Sequence, residues 1–291
     1  SQINSSYSRF VPYEFLKFLK KDSIIDVELG NHVSKKMAVM FSDIRSFTAL
    51  SETMTPQENF NFVNSYLGRV SPKIRDNSGF IVKYLGDGMM AVFPNRADDG
   101  VKAGIAKIKE VAEYNIIRKN QGYKPISIGI GIHFGQMMVG IVGEQARMQG
   151  DAFSDNVNLA ARLEGLTKFY GVSIIISEAV FDNLVDANQY QIRFLDRVQV
   201  KGRNHPIKIY EVMDGETESL LNLKRQVQSN FAQGILHYQQ QEFTMAKEYF
   251  QKVLTVNPSD RVAEIYLERV NNFLSEGTPT NWQGVTIWNQ K

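Results

Sequence analysis

The chain has no cysteine, which excludes a disulfide framework and any thiol chemistry and suits a reducing compartment. It has no run of about 18 apolar residues, so no segment reads as a helix that crosses a bilayer. No signal peptide precedes the first apolar segment. It has little net charge, +2 over 291 residues, too small a surplus to make nucleic acid or an anionic membrane the main partner. It also lacks an initiator methionine and opens on the polar stretch "SQINSSYS". That opening predicts a piece cut from a longer protein, and the lack of cysteine suits the cytoplasm. What is present is an ordinary globular composition, 43% apolar and 22% charged, with room for one sizeable domain and a smaller one.

Periodicity orders the elements. Residues 10 to 34 predict a short amphipathic helix and an irregular connector. A buried strand at 37 to 42, "MAVMFS", follows and ends in Asp43. Pro56 marks the start of a helix whose apolar positions, Phe60, Val63, Leu67, Val70 and Ile74, recur at helical spacing. "GFIVKYLGDGMMAVFP" is two apolar runs joined by Gly86-Asp87-Gly88, a hairpin signal. A helix over roughly 97 to 119 comes next, then "ISIGIGIHFG" and "MMVGIVG" as a strand pair. A helix over 155 to 169, the strand "IIIS" and the hairpin "RFLDRVQVKGRNHPIKIYEVM" complete the series. The order predicts an α+β domain with a mostly antiparallel sheet and helices packed on it.

After Gly215 the pattern becomes helical. Gly234, Tyr238, Phe243, Ala246, Phe250 and Pro258 have the spacing of a tetratricopeptide unit. One such unit cannot bury its own face, so it must pack on the main domain or a partner. Two tryptophans in "GTPTNWQGVTIWNQK" predict that the tail is pinned down. The expected divisions are a helical lead-in over 1–34, a main domain over 35–214, a helical region over 215–275 and a tail over 276–291.

Asp43 ends one apolar strand and Asp87 tips a hairpin. Neighbouring in an antiparallel sheet, both can face one spot. Two carboxylates with a main-chain carbonyl, water and phosphate oxygens suit a hard cation such as Mg²⁺. Taken singly, each is also a good turn residue without function. Asn158 and Arg162 lie four apart on a helix and share a face, which suits an anionic ligand. A surface pairing of Arg162 with Glu164 or Asp155 is the plainer alternative. Lys201 and Arg203, in "VKGRNH", read alone as a solvated basic turn.

Four segments together, "VMFSDIRSFTALSE", "GFIVKYLGDGMMAVFP", "DNVNLAARLEGLTKFYG" and "VQVKGRNHPIKIYEV", resemble the catalytic domain of the class III nucleotidyl cyclases over about residues 35 to 214. The segment "RFVPYEFLKFL…SIIDVELG" resembles the lead-in that bacterial members carry between a sensor and the cyclase. The resemblance implies a ferredoxin-like, palm-type sheet. It implies that Asp43 and Asp87, with the carbonyl of Ile44, bind two Mg²⁺ or Mn²⁺ ions. It implies that Asn158 orients the ribose, that Arg162 stabilises the transition state, that Lys201 contacts the terminal phosphates, and that Lys83 and Asp151 read the purine. Adenine presents an acceptor at N1 and a donor at its amino group. Lys only donates and Asp only accepts, so the pair complements adenine and mismatches guanine. The expected reaction converts ATP to 3′,5′-cyclic AMP and pyrophosphate in a homodimer whose sites are shared between chains. Guanylate cyclase and a catalytically silent nucleotide-binding or dimerisation module are the alternatives. Three positions depart from the pattern of many relatives: Ser46 and Ser154 stand where Gly is frequent, and Asp151 where Thr is.

Overall fold

A computed structural model describes residues 13–288. Phe10, Val11 and Pro12 of the expected lead-in helix and the last three residues of the tail lie outside that range. The chain enters through α1 (Tyr13–Phe18) and a 3-10 turn (Ile24–Asp26). The long strand β1 (His32–Ile44) follows, then α2 (Phe47–Ser51), α3 (Pro56–Asp76), and the hairpin β2 (Phe80–Leu85) and β3 (Gly88–Phe93). Next come α4 (Ala97–Asn120), β4 (Ile128–Glu144), β5 (Arg147–Phe153) and α5 (Asp155–Tyr170). The strand β6 (Ile174–Ser177), α6 (Glu178–Asp182), β7 (Ile192–Val200) and β8 (Ile207–Val212) end this part.

The strands form one sheet in the order β2-β3-β1-β4-β6-β8-β7, with β5 paired to β4 alone and a last strand beyond β7. All pairings are antiparallel except β4 with β6 and the last strand with β7. The fold is therefore the expected α+β class. Successive side chains of a strand point to opposite faces, and β1 uses both. Ala38 and Met40 pack with Val70 and Ile74 of α3 and Val101 of α4, while Met37 and Val39 pack with Phe15, Phe80 and Val92. The start of α3 is as the sequence predicts: Pro56 opens it, and Thr55 and Glu58 close a reciprocal capping box.

Two expectations need correction. "ISIGIGIHFG" and "MMVGIVG" are not a strand pair but halves of one strand, β4, of 17 residues. The pairing register with β1 runs unbroken from His32–Gly140 to Ile44–Ile128. Gly135, at the junction of the two runs, does not turn the chain but clears space for α5: a Cβ on it would lie 2.6 Å from Asn156 Nδ2. The strand expected at 37 to 42 also starts earlier, at His32, because β4 is long enough to pair with it throughout.

The C-terminal part holds α7 (Glu218–Gln226), α8 (Gln228–Gln239), α9 (Phe243–Val256) and α10 (Arg261–Glu276), then β9 (Thr286–Trp288). These helices share one apolar cluster with α5 and β7, joining Leu163 and Tyr170 to Phe231, Phe250 and Tyr266. The polar joints are buried too. Arg193 of β7 reaches Asp260 at 2.7 Å and Glu211 at 3.0 Å, and Lys224 also pairs with Glu211. The helical region thus packs on the main domain. The tail is not purely turn, since β9 extends the sheet beside β7.

Candidate active site

Asp43 is the penultimate residue of β1 and Asp87 sits in the β2–β3 turn. The turn comes close because Gly86 takes a left-handed conformation (φ 67°) and Gly88 has no side chain. A Cβ on Gly88 would lie 2.7 Å from the Ser42 carbonyl and 3.2 Å from the Asp43 Cβ. The Ile44 N–H donates to Asp87 Oδ2 at 2.9 Å, so Asp43, Ile44 and Asp87 form one group. Burial, reinforced by the Asp43 charge, holds the Asp87 carboxyl above the usual carboxylate range despite that main-chain hydrogen bond.

Three titratable side chains that the sequence reading passed over surround this pair. Glu164 of α5 lies against Asp43; burial first, then a hydrogen bond to Asp43 and the aspartate charges, push its carboxyl up to about 9. Lys107 of α4 is fully buried and donates to Ser42 Oγ, and burial lowers its ammonium to about 7 against the pull of Asp43. Arg45 donates to the Val172 carbonyl, with Glu164, Glu216 and Asp43 as its charged neighbours. Lys107, a lysine between two isoleucines in "GIAKIKE", was the available signal. A local charge excess of carboxylates whose ionisation is resisted fits a cation. Among the described residues no three His, Cys, Asp or Glu side chains form a cage of their own. A cation here would accordingly draw its remaining ligands from outside the chain, the coordination Mg²⁺ favours. Asp87 also borders a groove of about 730 Å³ lined by Phe47, Val63, Leu67 and Tyr84, a volume in the range of ligand pockets.

A second group lies on the strands and helix beyond. Lys83 Nζ, on β2 beside a bulge, is 3.1 Å from Asp151 Oδ2 on β5. Asp151 also accepts from the Ala152 N–H at 2.8 Å. Asn158 is exposed on α5, and Arg162 one turn later keeps a buried Nη1 without a hydrogen-bond partner. No ion pair joins Arg162 to Glu164 or Asp155 among the described residues. Ser154 caps this helix, its Oγ accepting from the Asn156 N–H at 3.0 Å and donating to the Gln136 carbonyl at 2.9 Å.

The N-terminal end of α5 is tied to the β7–β8 turn. Asn156 Oδ1 accepts from His133 Nε2 at 2.8 Å and from Arg203 Nη2 at 3.2 Å, while its Nδ2 donates to the Gln136 carbonyl at 2.7 Å. The Ser177 hydroxyl donates to His133 Nδ1 at 2.7 Å, which fixes the tautomer that donates through Nε2. Burial lowers the His133 imidazole to about 4. Lys201, in the same turn as Arg203, is exposed. Among the described residues no hydrogen bond or ion pair connects Asn158, Arg162 or Lys201 with Asp43 or Asp87. The expected site residues thus fall into two half-sets with no direct hydrogen bond or ion pair between them among the described residues: Asp43 with Asp87, and Lys83, Asp151, Asn158, Arg162 and Lys201.

Comparison with known proteins gives these halves a context. Residues 30–214 match the family model described as the adenylate and guanylate cyclase catalytic domain. The chain is 35% identical over 273 residues to a terminal-differentiation specific adenylate cyclase of Dictyostelium discoideum, covering 92% of this chain and 13% of that protein. It is 39% identical over 213 residues to an adenylate cyclase of Anabaena cylindrica, covering 71% of this chain and 42% of that one. The chain therefore spans less than half the length of these relatives. Among solved structures, the adenylyl cyclase CyaB of P. aeruginosa is 31% identical with a TM-score of 0.55, covering 63% of this chain and 96% of that one. The guanylyl cyclase Cya2 is 28% identical with the same TM-score, covering 64% and 96%.

Proposed function

The chain belongs to the adenylate and guanylate cyclase catalytic domain family, and from that premise we propose that it is an adenylate cyclase, converting ATP to 3′,5′-cyclic AMP and pyrophosphate. The observation that carries the choice of purine is the Lys83–Asp151 pair at 3.1 Å. It sets a donor and an acceptor side by side, the complement of the adenine edge and the inverse of the guanine edge. A site whose polar groups are mismatched by the wrong base discriminates strongly against it.

Asp43, Asp87 and the Ile44 carbonyl would hold two Mg²⁺ or Mn²⁺ ions. Bound there, such ions would acidify the ribose 3′-hydroxyl and neutralise charge on the phosphates. The remaining work falls to side chains. Arg162 has a guanidinium nitrogen without a hydrogen-bond partner among the described residues, ready to meet charge that develops on the α-phosphate. Asn158, one turn earlier on the same face, holds the ribose for in-line attack. Lys201 grips the terminal phosphates. No side chain of these half-sets is placed as a general base, and the proton passes to solvent or a substrate phosphate.

We assign the two half-sets, which make no direct bond to each other among the described residues, to a homodimer in which each site takes the carboxylate pair from one chain and the other five residues from its partner. No helix among the described residues is long and apolar enough to cross a membrane. We place the domain in the cytoplasm, under the control of a sensor region upstream. The helical pair α8–α9 is proposed as tetratricopeptide-like, on the close packing of Gly234 against the Phe250 ring.

The test is cyclic-nucleotide production by the purified chain with Mg²⁺ or Mn²⁺, ATP and GTP side by side. Cyclic AMP from ATP, abolished in Asp43→Ala, is the expected result. Cyclic GMP in its place would overturn the purine assignment, and no product from a dimeric chain would favour a silent nucleotide-binding module.

A further inference from the structure

The β7–β8 turn spans residues 201–206, between the end of β7 and the start of β8. Gly202 in it is left-handed (φ 87°) with open space around it. Within it the Arg203 N–H closes a turn onto the Val200 carbonyl at 3.1 Å, which bends the chain at Lys201, an exposed residue, but does not tie it to α5. The sheet order would also leave β7 as an edge strand, with a free row of main-chain donors and acceptors.

The C-terminal tail meets both needs. β9 pairs parallel to β7 with Val198, Gln199 and Val200 opposite Thr286, Ile287 and Trp288. The Lys201 N–H donates to the Trp288 carbonyl at 3.2 Å. The Trp288 ring stands edge-on to Phe169 at 4.6 Å and tilts against Tyr170 at 6.2 Å. Both aromatics end α5, the helix that carries Asn158 and Arg162. Thr286 Oγ1 donates to Asp196 Oδ2 at 3.0 Å. Asp196 is itself 1% exposed, and takes the Tyr170 hydroxyl at 2.6 Å and the Arg269 guanidinium at 2.9 Å. From the other side Arg203 bonds Asn156, near the opposite end of α5. The turn is thus referenced to both ends of one helix, once through its own arginine and once through the tail.

We propose that β9 is a positioning element of the active site: Thr286 and Trp288 hold the Lys201 main chain in register with α5, so that the lysine ammonium and the Arg162 guanidinium act on one triphosphate together. This rests on the reading of Lys201 as a phosphate-binding residue. It assigns the tail a task in substrate binding, and it makes the far C-terminus a point from which a partner that displaced β9 would weaken nucleotide affinity.

The test is a double-mutant cycle in the full chain, reading the KM for ATP, inhibition by pyrophosphate, and Tm. The variants are Trp288→Ala, a chain ending at Val285, Lys201→Ala, and each tail change combined with Lys201→Ala. Both tail changes should raise the KM for ATP roughly three- to tenfold, a part of what a contact to a charged group contributes, and weaken pyrophosphate inhibition in parallel. Trp288→Phe should restore both. In the Lys201→Ala background the tail changes should add nothing, because the side chain they position is gone. Tail effects that multiply with Lys201→Ala, or that lower Tm and yield while leaving KM alone, would overturn the proposal and leave the site assignment standing. A Lys201→Ala variant with unchanged KM and pyrophosphate inhibition would overturn the assignment of Lys201, and this proposal with it.

Discussion

Arg162 keeps a buried nitrogen, Nη1, that meets no hydrogen-bond partner among the described residues. An unsatisfied buried donor costs about 1–3 kcal/mol, so the residue weakens the fold it sits in. Arg162→Ala should therefore lower kcat by roughly 10²–10³ while Tm holds or rises; a Tm that falls along with kcat would mark a structural role. Ser46, three residues past Asp43, is left-handed at φ 54°, a conformation that costs a non-glycine residue about 1–2 kcal/mol. Ser46→Gly should recover much of that in thermal melts without loss of activity. His133 titrates in the sense opposite to a salt-bridged histidine. Its folded pKa, about 4, lies below the ordinary 6.5. Above pH 6.5 both folded and unfolded imidazoles are neutral and nothing is gained or lost. As pH falls from 6.5 towards 4 the unfolded chain binds a proton that the folded chain refuses, so stability drops by roughly 3 kcal/mol over that window. Denaturation of His133→Gln should show a correspondingly flatter pH slope between 4 and 6.5, and parallel curves for the two proteins would refute the assignment.

Among the elements, α5 lies directly against β4. A Cβ on Gly131 would lie 2.2 Å from the Glu164 N and 2.6 Å from the Ala160 carbonyl, both main-chain atoms that cannot move alone. Gly131→Ala should push α5 off the sheet, at about 1–3 kcal/mol, lower Tm by a few degrees and reduce kcat, since Asn158 and Arg162 ride on that helix; differential scanning calorimetry and a rate assay check both. These glycines also mark the limit of what was legible. Helices α3, α4 and α5 and the β2–β3 hairpin follow from apolar spacing, from Pro56 and from Gly86-Asp87-Gly88. β4 was divided in two, because glycine that clears a path for a helix has the same letter as glycine that turns a chain. Asp43 and Asp87 could be paired from strand ends alone. Glu164, Lys107 and the His133–Asn156–Arg203 chain could not, because each joins elements distant in sequence. β9 escaped notice because three residues carry no periodicity.

At the scale of the whole molecule, the helical region and the cyclase domain share one core, Leu163 and Tyr170 with Phe231 and Tyr266, and a set of buried ion pairs through Arg193 and Glu211. Cutting the chain at Gly215 would uncover the apolar face of Leu163 and Tyr170 and remove Asp260 and Lys224 from the Arg193–Glu211 pair, so it should lower Tm far more than cutting it at Val285. The central claim is that the two half-sets, kept apart in one chain, meet across a dimer. It is tested most directly by mixing Asp43→Ala with Arg162→Ala, each nearly inactive alone, and measuring cyclic AMP from ATP. Each mixed dimer would hold one intact site and one doubly damaged site, so an equal mixture with free subunit exchange should recover about a quarter of the native activity. A mixture that stays as silent as its components, with exchange verified, would place the whole site within one chain and contradict the account.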